Sequence, residues 1–159
     1  MKKNLFLICV LLIVNYTFAQ NNFEEEEELQ KFKKEFVISG GLLFGGGSLI
    51  GADLEFRLHK KLTGQVGLGF RGFGAGINLH YEKDLHSNFI SFQYYHQGIG
   101  QYHVQSLIGP TYNFRAFKYI AGSIGLGRKV MEGPAYYNLP SQYRLSTLLL
   151  YSIGFYKVF

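Results

Sequence analysis

Between residues 49 and 82 the chain alternates with a period of two. Ile50, Ala52, Leu54, Phe56 and Leu58 share one parity, and Gly51, Asp53, Glu55 and Arg57 share the other. The next run sets Leu62, Gly64, Val66, Leu68 and Phe70 against Thr63, Gln65, Gly67, Gly69 and Arg71, and the one after sets Ala75, Ile77, Leu79 and Tyr81 against Gly76, Asn78, His80 and Glu82. Side chains alternate across a strand, so each run is a strand with one apolar face and one polar or glycine face.

Turn signals separate such runs along the whole chain: Gly45–Gly47, His59–Lys61, Gly72–Gly74, Lys83–Ser87, Gln97–Gln101, Arg115–Lys118, and a longer Lys129–Ser141 with Pro134 and Pro140. They delimit eight strands, near 36–44, 48–58, 62–71, 74–82, 88–96, 102–114, 119–128 and 142–159. Consecutive hairpin-linked strands of this number predict an all-β, antiparallel up-and-down barrel, which leaves no unpaired edge. The single Cys excludes a disulfide framework as the source of stability.

The lumen chemistry decides which way such a barrel faces. A soluble barrel would put Asp53, Glu55, Arg57, Gln65 and Arg71 in water, where glycines on the same face have little purpose. A narrow membrane barrel turns that face inward, where Gly gives room for charged side chains to cross and pair. Strand length agrees, since a tilted transmembrane strand needs about 9–11 residues. The expected lumen network is Asp53, Glu55, Arg57, Gln65, Arg71, Asn78, His80 and Glu82, with the charges neutralising one another.

The beginning of the chain reads as an address. Lys2 and Lys3 precede the apolar run Leu5–Val14, and Thr17-Phe18-Ala19 resembles a cleavage site, so residues 1–19 are expected to be a secretory signal peptide cleaved near Ala19. The mature chain then holds fourteen Lys and Arg against eleven Asp and Glu, a net +3. Residues 20–35 carry Glu24–Glu28 and Glu35 against three Lys and read as a solvated acidic tail; residues 36–159 carry the barrel and a net +6. For an exported chain such a basic excess points to lipid phosphates and not to nucleic acid.

The ending "YSIGFYKVF", the signal peptide and the eight alternating strands together resemble a small Gram-negative outer-membrane β-barrel of the OmpA/OmpX/OmpW-like class. The resemblance covers Phe36–Phe159. It implies location in the outer membrane, contact with outer-membrane lipid, and a last strand read by the barrel assembly machinery through Gly154, Phe155 and Phe159, with Lys157 departing from the pattern. With both ends periplasmic, the turns at 59–61, 83–87 and 115–118 fall on the inner side and Lys129–Ser141 outside. Phe36, Phe56, Tyr81, Tyr112, Phe155 and Phe159 would then form a lower aromatic girdle, and Phe44, Phe70, Tyr94 and Tyr143 an upper one. Three features fit less simply: Phe36-Val37-Ile38 and Leu148–Leu150 are apolar on both faces, Leu107 points to the lumen, and Pro110 suggests a bulge in the sixth strand.

Chemical motifs are sparse. Gly67–Gly72 matches G-x-G-x-x-G, but a dinucleotide fingerprint needs a helix where alternation forbids one. His80 and Glu82 share a face without a third metal ligand, and His96 and His103 fall on opposite parities. Outer-membrane lipid A deacylases and palmitoyltransferases share the barrel architecture, and the deacylase pattern resembles a His-x-Ser pair on the lipid face. Here His86 adjoins Ser87 and His103 lies three residues from Ser106, spacings that put each pair on opposite faces of a strand. No catalytic, cofactor-binding or metal residues are therefore assigned. The sequence predicts a packed-lumen barrel with a structural or surface-interaction role. The alternatives are a lipid A-modifying enzyme, a narrow solute channel, and a subunit of a secretion or transfer apparatus. An extracellular partner is expected at 129–141 through Met131, Tyr136, Tyr137 and Leu139.

Overall fold

The computed structural model describes residues 35–159. The expectations on the signal peptide and on tail residues 20–34 lie outside the described residues. Eight antiparallel strands close into one barrel in chain order: β1 (Phe36–Leu42), β2 (Ile50–Arg57), β3 (Leu62–Gly69), β4 (Gly72–His80), β5 (Phe89–Gln97), β6 (Gln105–Ala116), β7 (Ile120–Glu132) and β8 (Thr147–Val158). The seam pairs Val37 with Val158 and Leu42 with Ile153. Beyond it, Phe36 and Phe159 exchange backbone hydrogen bonds at 3.2 and 2.9 Å, and their rings stack 5.0 Å apart.

The alternation resolves into an inside and an outside. Leu54, Val66, Leu68, Ile77, Leu79, Phe92, Ile124, Leu126, Leu149 and Ile153 point outward and are exposed, whereas Glu55, Arg57, Thr63, Asn78, His80, Ser91, Gln93 and Thr111 point inward and are buried. The segments that are apolar on both faces supply small apolar layers inside. Val37 packs with Phe44, Leu85, Ala121 and Tyr156, and Leu150 packs with Tyr95 and Leu107.

Several boundaries differ from the sequence reading. Gly72–Gly74 is not a turn but the start of β4, and the chain reverses through Phe70-Arg71 alone. β7 continues to Glu132 and β8 begins only at Thr147, so Lys129–Glu132 belong to a strand and the long connection runs from 133 to 146. Pro110 keeps its register opposite Phe92, because a missing donor removes one ladder bond without inserting a residue. The register shift falls instead between Ser106 and Leu107, which face Met131 and Lys129 and leave Val130 as the extra residue.

The first hairpin loop does not stand above the barrel; it folds into it. Leu43, Gly45, Gly46 and Gly47 all take left-handed φ, from 62° to 81°, a conformation that glycine adopts without a Cβ penalty. This reversal buries Phe44, Gly45 and Gly46. Phe44, expected in the upper aromatic girdle, is thus an interior residue. Its ring fills the lumen, where eight strands leave just enough width for side chains.

Candidate functional site

The lumen is built around two carboxylates with different tasks. Near the end where Glu35 and Phe159 lie, Glu55 Oε1 accepts from Thr63 Oγ1 at 2.5 Å and from His80 Nε2 at 2.6 Å, while Oε2 accepts from Arg115. Arg115 also donates to the Leu85 carbonyl, and its guanidinium lies 4.8 and 4.9 Å from the Phe89 and Tyr156 ring centroids. His80 stacks on Phe89 at 4.6 Å and meets Ser87 Oγ at 3.1 Å through its other nitrogen. The pair is wholly removed from water, with side chains 2–3% exposed. A buried ion pair needs such additional hydrogen bonds to offset its desolvation.

One layer up, Gln65 Oε1 accepts from Asn78 at 3.0 Å and Gln93 at 3.1 Å, linking β3, β4 and β5. Asp53 stands above, and its Oδ1 accepts the Gly45 amide N–H at 3.0 Å. The lumen glycines explain how the loop fits. A methyl at Gly51 would strike Phe44, one at Gly67 the Asp53 carboxylate, one at Gly69 Ser48, and one at Gly74 would crowd Gly46. These glycines make a cradle for the inward-folded backbone, where the sequence reading gave them the task of letting charged side chains cross. Among the described residues the interior holds cavities of about 30 and 20 Å³, each with room for only a water or two.

The expected lumen residues therefore divide. Asp53, Glu55, Arg57, Gln65, Asn78 and His80 face inward, but the pairing differs from mutual neutralisation. Glu55 takes Arg115, and Arg57 donates to Glu35 Oε2 at 2.9 Å and to the Lys60 carbonyl at 2.8 Å. Arg71 and Glu82 are not in the lumen: both lie just past strand ends, in exposed turns where alternation no longer fixes a face. Arg115 was missed because it was assigned to a turn, although its parity with Thr111 and Asn113 points it inward.

A second polar cluster sits on the outer wall near the mouth, the end opposite Glu35 and Phe159. Ser106 Oγ lies 2.9 Å from Tyr94 Oη, 3.0 Å from His96 Nδ1 and 3.2 Å from His103 Nε2. The two imidazoles stack 4.0 Å apart, and Phe73 stacks on His96 at 4.5 Å. Parity had set His103 away from Ser106 and from His96; the structure brings all three together. His103 precedes β6, in a loop that curls back, so strand alternation does not govern it. Ser106 itself is fully buried beneath these rings.

The remaining expected site residues are scattered. Met131 lies on β7 and is exposed, Tyr137 is exposed, and Leu139 is half-buried. Tyr136 is turned inward, 3% exposed, under the Lys129 ammonium, which removes it from the surface on which a partner anchor was expected. Gly154 lies on β8 where a side chain would strike the Gly40 carbonyl across the seam, while Phe155 and Phe159 are exposed. No family model, no curated protein and no solved structure matches this chain.

Proposed function

We propose that this chain is an integral outer-membrane barrel without an open pore, acting as a structural or surface-interaction protein. One observation carries the reading: the closed barrel is inverted, with Leu54, Val66, Ile77, Phe92, Leu126 and Ile153 outward and Glu55, Arg57, Asn78 and His80 inward. An exposed apolar belt around a whole barrel is costly in water and suits a hydrocarbon surround. The plugged lumen supports the non-conducting part. On this reading outer-membrane lipid is the constant partner, the last strand serves the barrel assembly machinery during biogenesis, and any extracellular partner meets the mouth.

A pair of substitutions tests it. Leu54 and Leu145 are exposed to similar degrees, 41% and 54%, but Leu54 is mid-strand and Leu145 lies in the mouth connection. In lipid vesicles Leu54→Arg is expected to cost roughly 2–4 kcal/mol and Leu145→Arg about 0–1 kcal/mol. Equal costs, or stable folding in detergent-free buffer, would remove the membrane reading.

A second reading rests on the Ser106 cluster. A serine hydroxyl within hydrogen-bond reach of two imidazoles has the parts for acyl-ester hydrolysis: Ser106 Oγ attacks the acyl carbonyl, His103 takes the proton and returns it to the leaving alcohol, and water then releases the acid. Tyr94 and His96 must swing aside first, because Ser106 is covered. Mass analysis of lipid A from cells carrying wild type or Ser106→Ala decides this reading; identical lipid A profiles reject it.

A further inference from the structure

The mouth of the barrel holds an open basin of about 540 Å³, floored by Gly47 and Ser48 of the inward-folded loop and walled by Arg71, Gln97, Tyr102 and Leu139. Its volume lies within the range of small-molecule sites.

Arg71 is the unusual residue in that wall. It occupies the second position of the two-residue Phe70-Arg71 reversal with φ of 75°, where glycine or asparagine is favoured and any other side chain costs of order 1 kcal/mol. The turn holds this strained arginine firmly. Its carbonyl accepts the Gly98 N–H at 2.6 Å, which ties it to the neighbouring wall, and its guanidinium lies 5.2 Å from the Phe70 ring and 5.0 Å from the Tyr102 ring. Among the described residues the guanidinium has no hydrogen-bond or ion-pair partner beside those two rings, so its N–H donors carry no carboxylate or carbonyl.

Arg71 is the charged residue of the basin lining, and the charge of the mouth as a whole is one-sided. The connections and strand ends at the mouth carry Arg71, Arg128, Lys129 and Arg144 against Glu132 alone, and Glu132 is already engaged by Lys129 at 2.7 Å and Tyr137 at 3.0 Å. A stacked guanidinium presents its edge for bidentate recognition of an oxyanion, and an excess of cations favours the more highly charged one.

We propose that the mouth basin binds a phosphate-bearing ligand, its oxyanion on Arg71 and its apolar body against Tyr102 and Leu139. The phosphate could belong to a soluble monoester entering from the mouth or to a lipid headgroup reaching over the exposed Phe70 rim; the chemistry at Arg71 is the same. The oxyanion site stands on the mouth alone, and only its lipid-headgroup source rests on the membrane reading proposed above.

The full chain, folded in nonionic detergent micelles, is titrated calorimetrically with phenyl phosphate and separately with a short-chain phosphatidylglycerol below its micellar concentration, with phenol as the uncharged control. Arg71-dependent heat with phenyl phosphate alone assigns a soluble ligand, and Arg71-dependent heat that is stronger with the lipid assigns a headgroup. Phenol should not bind. The decisive variant is Arg71→Gly, because glycine relieves the backbone strain. Its unfolding temperature should equal or exceed that of wild type, while its affinity for the bound phosphate falls by about tenfold or more. Arg71→Lys should fall between the two. Absence of binding to either phosphate, unchanged affinity in Arg71→Gly, or a lowered unfolding temperature that makes Arg71 a structural clasp would each overturn the proposal.

Discussion

The carboxylate of Asp53, on the inner face of β2, accepts the amide of Gly45 at 3.0 Å and so fastens the first hairpin loop inside the barrel. A buried amide left without its acceptor costs roughly 1–3 kcal/mol, and Asp53→Ala is expected to lower stability by that amount. Asp53→Asn keeps an acceptor oxygen and should cost much less. Denaturant titrations followed by the heat-modified gel shift of the barrel measure both.

Two left-handed glycines separate conformation from crowding. Gly45 and Gly100 have φ of 63° and 60°, but a methyl at Gly45 would strike the Leu68 backbone, whereas one at Gly100 meets nothing within 4 Å. Gly100→Ala should cost about 1–2 kcal/mol, the left-handed penalty alone. Gly45→Ala should cost clearly more and raise single-channel conductance as the loop is expelled. Equal costs would mean that the loop is not seated against β3.

The Glu55–Arg115 pair predicts a sharp asymmetry with Glu35–Arg57. Glu55 and Arg115 are both sealed from water, and removing one partner by Glu55→Ala should cost about 3–5 kcal/mol. The Glu35 side chain is 44% exposed and Arg57 keeps its bond to the Lys60 carbonyl, so Glu35→Ala should cost clearly less than Glu55→Ala. A double-mutant cycle at 55 and 115 should show strong coupling.

Acid should loosen one turn before the barrel. Asp84 accepts from the His86 backbone at 2.9 Å and from the His86 ring at 3.0 Å. Partial desolvation works to raise its pKa, but these hydrogen bonds and the imidazole charge prevail and hold it below the ordinary 3.8. A depressed carboxyl contributes stability above its unfolded value, and that contribution is lost as pH falls through the folded one. Exchange protection of the His86 amide should therefore persist at neutral pH and fade below about pH 4, with Asp84→Ala losing most of it at every pH.

Strand number, closure and the facing of Asp53, Glu55, Asn78 and His80 were legible because period-two alternation is a local signal that a closed barrel obeys throughout. Arg71, Glu82 and His103 escaped it for one reason: each lies past a strand end, where the chain turns and parity stops fixing a side. The Ser106 cluster therefore depends on a loop conformation that spacing does not encode. The inward-folded loop left a trace that was visible but misassigned. Gly51, Gly67, Gly69 and Gly74 share a face with Asp53, a row of absent side chains that makes room for backbone, and their target could be named only once the register aligned β2, β3 and β4.

The seating of Phe44 also bears on the order in which the barrel forms. The ring belongs to the first hairpin, yet its apolar neighbours include Val37 of β1, Ala121 of β7 and Tyr156 of β8. Its pocket does not exist until the last strands arrive, and once β8 has zipped onto β1 the loop has no easy way in. Full seating of the ring is thus expected to coincide with closure of the seam. A smaller residue at position 44 should slow the final closing step while leaving the early hairpins to assemble at their usual pace, a kinetic signature that contacts made at equilibrium do not reveal.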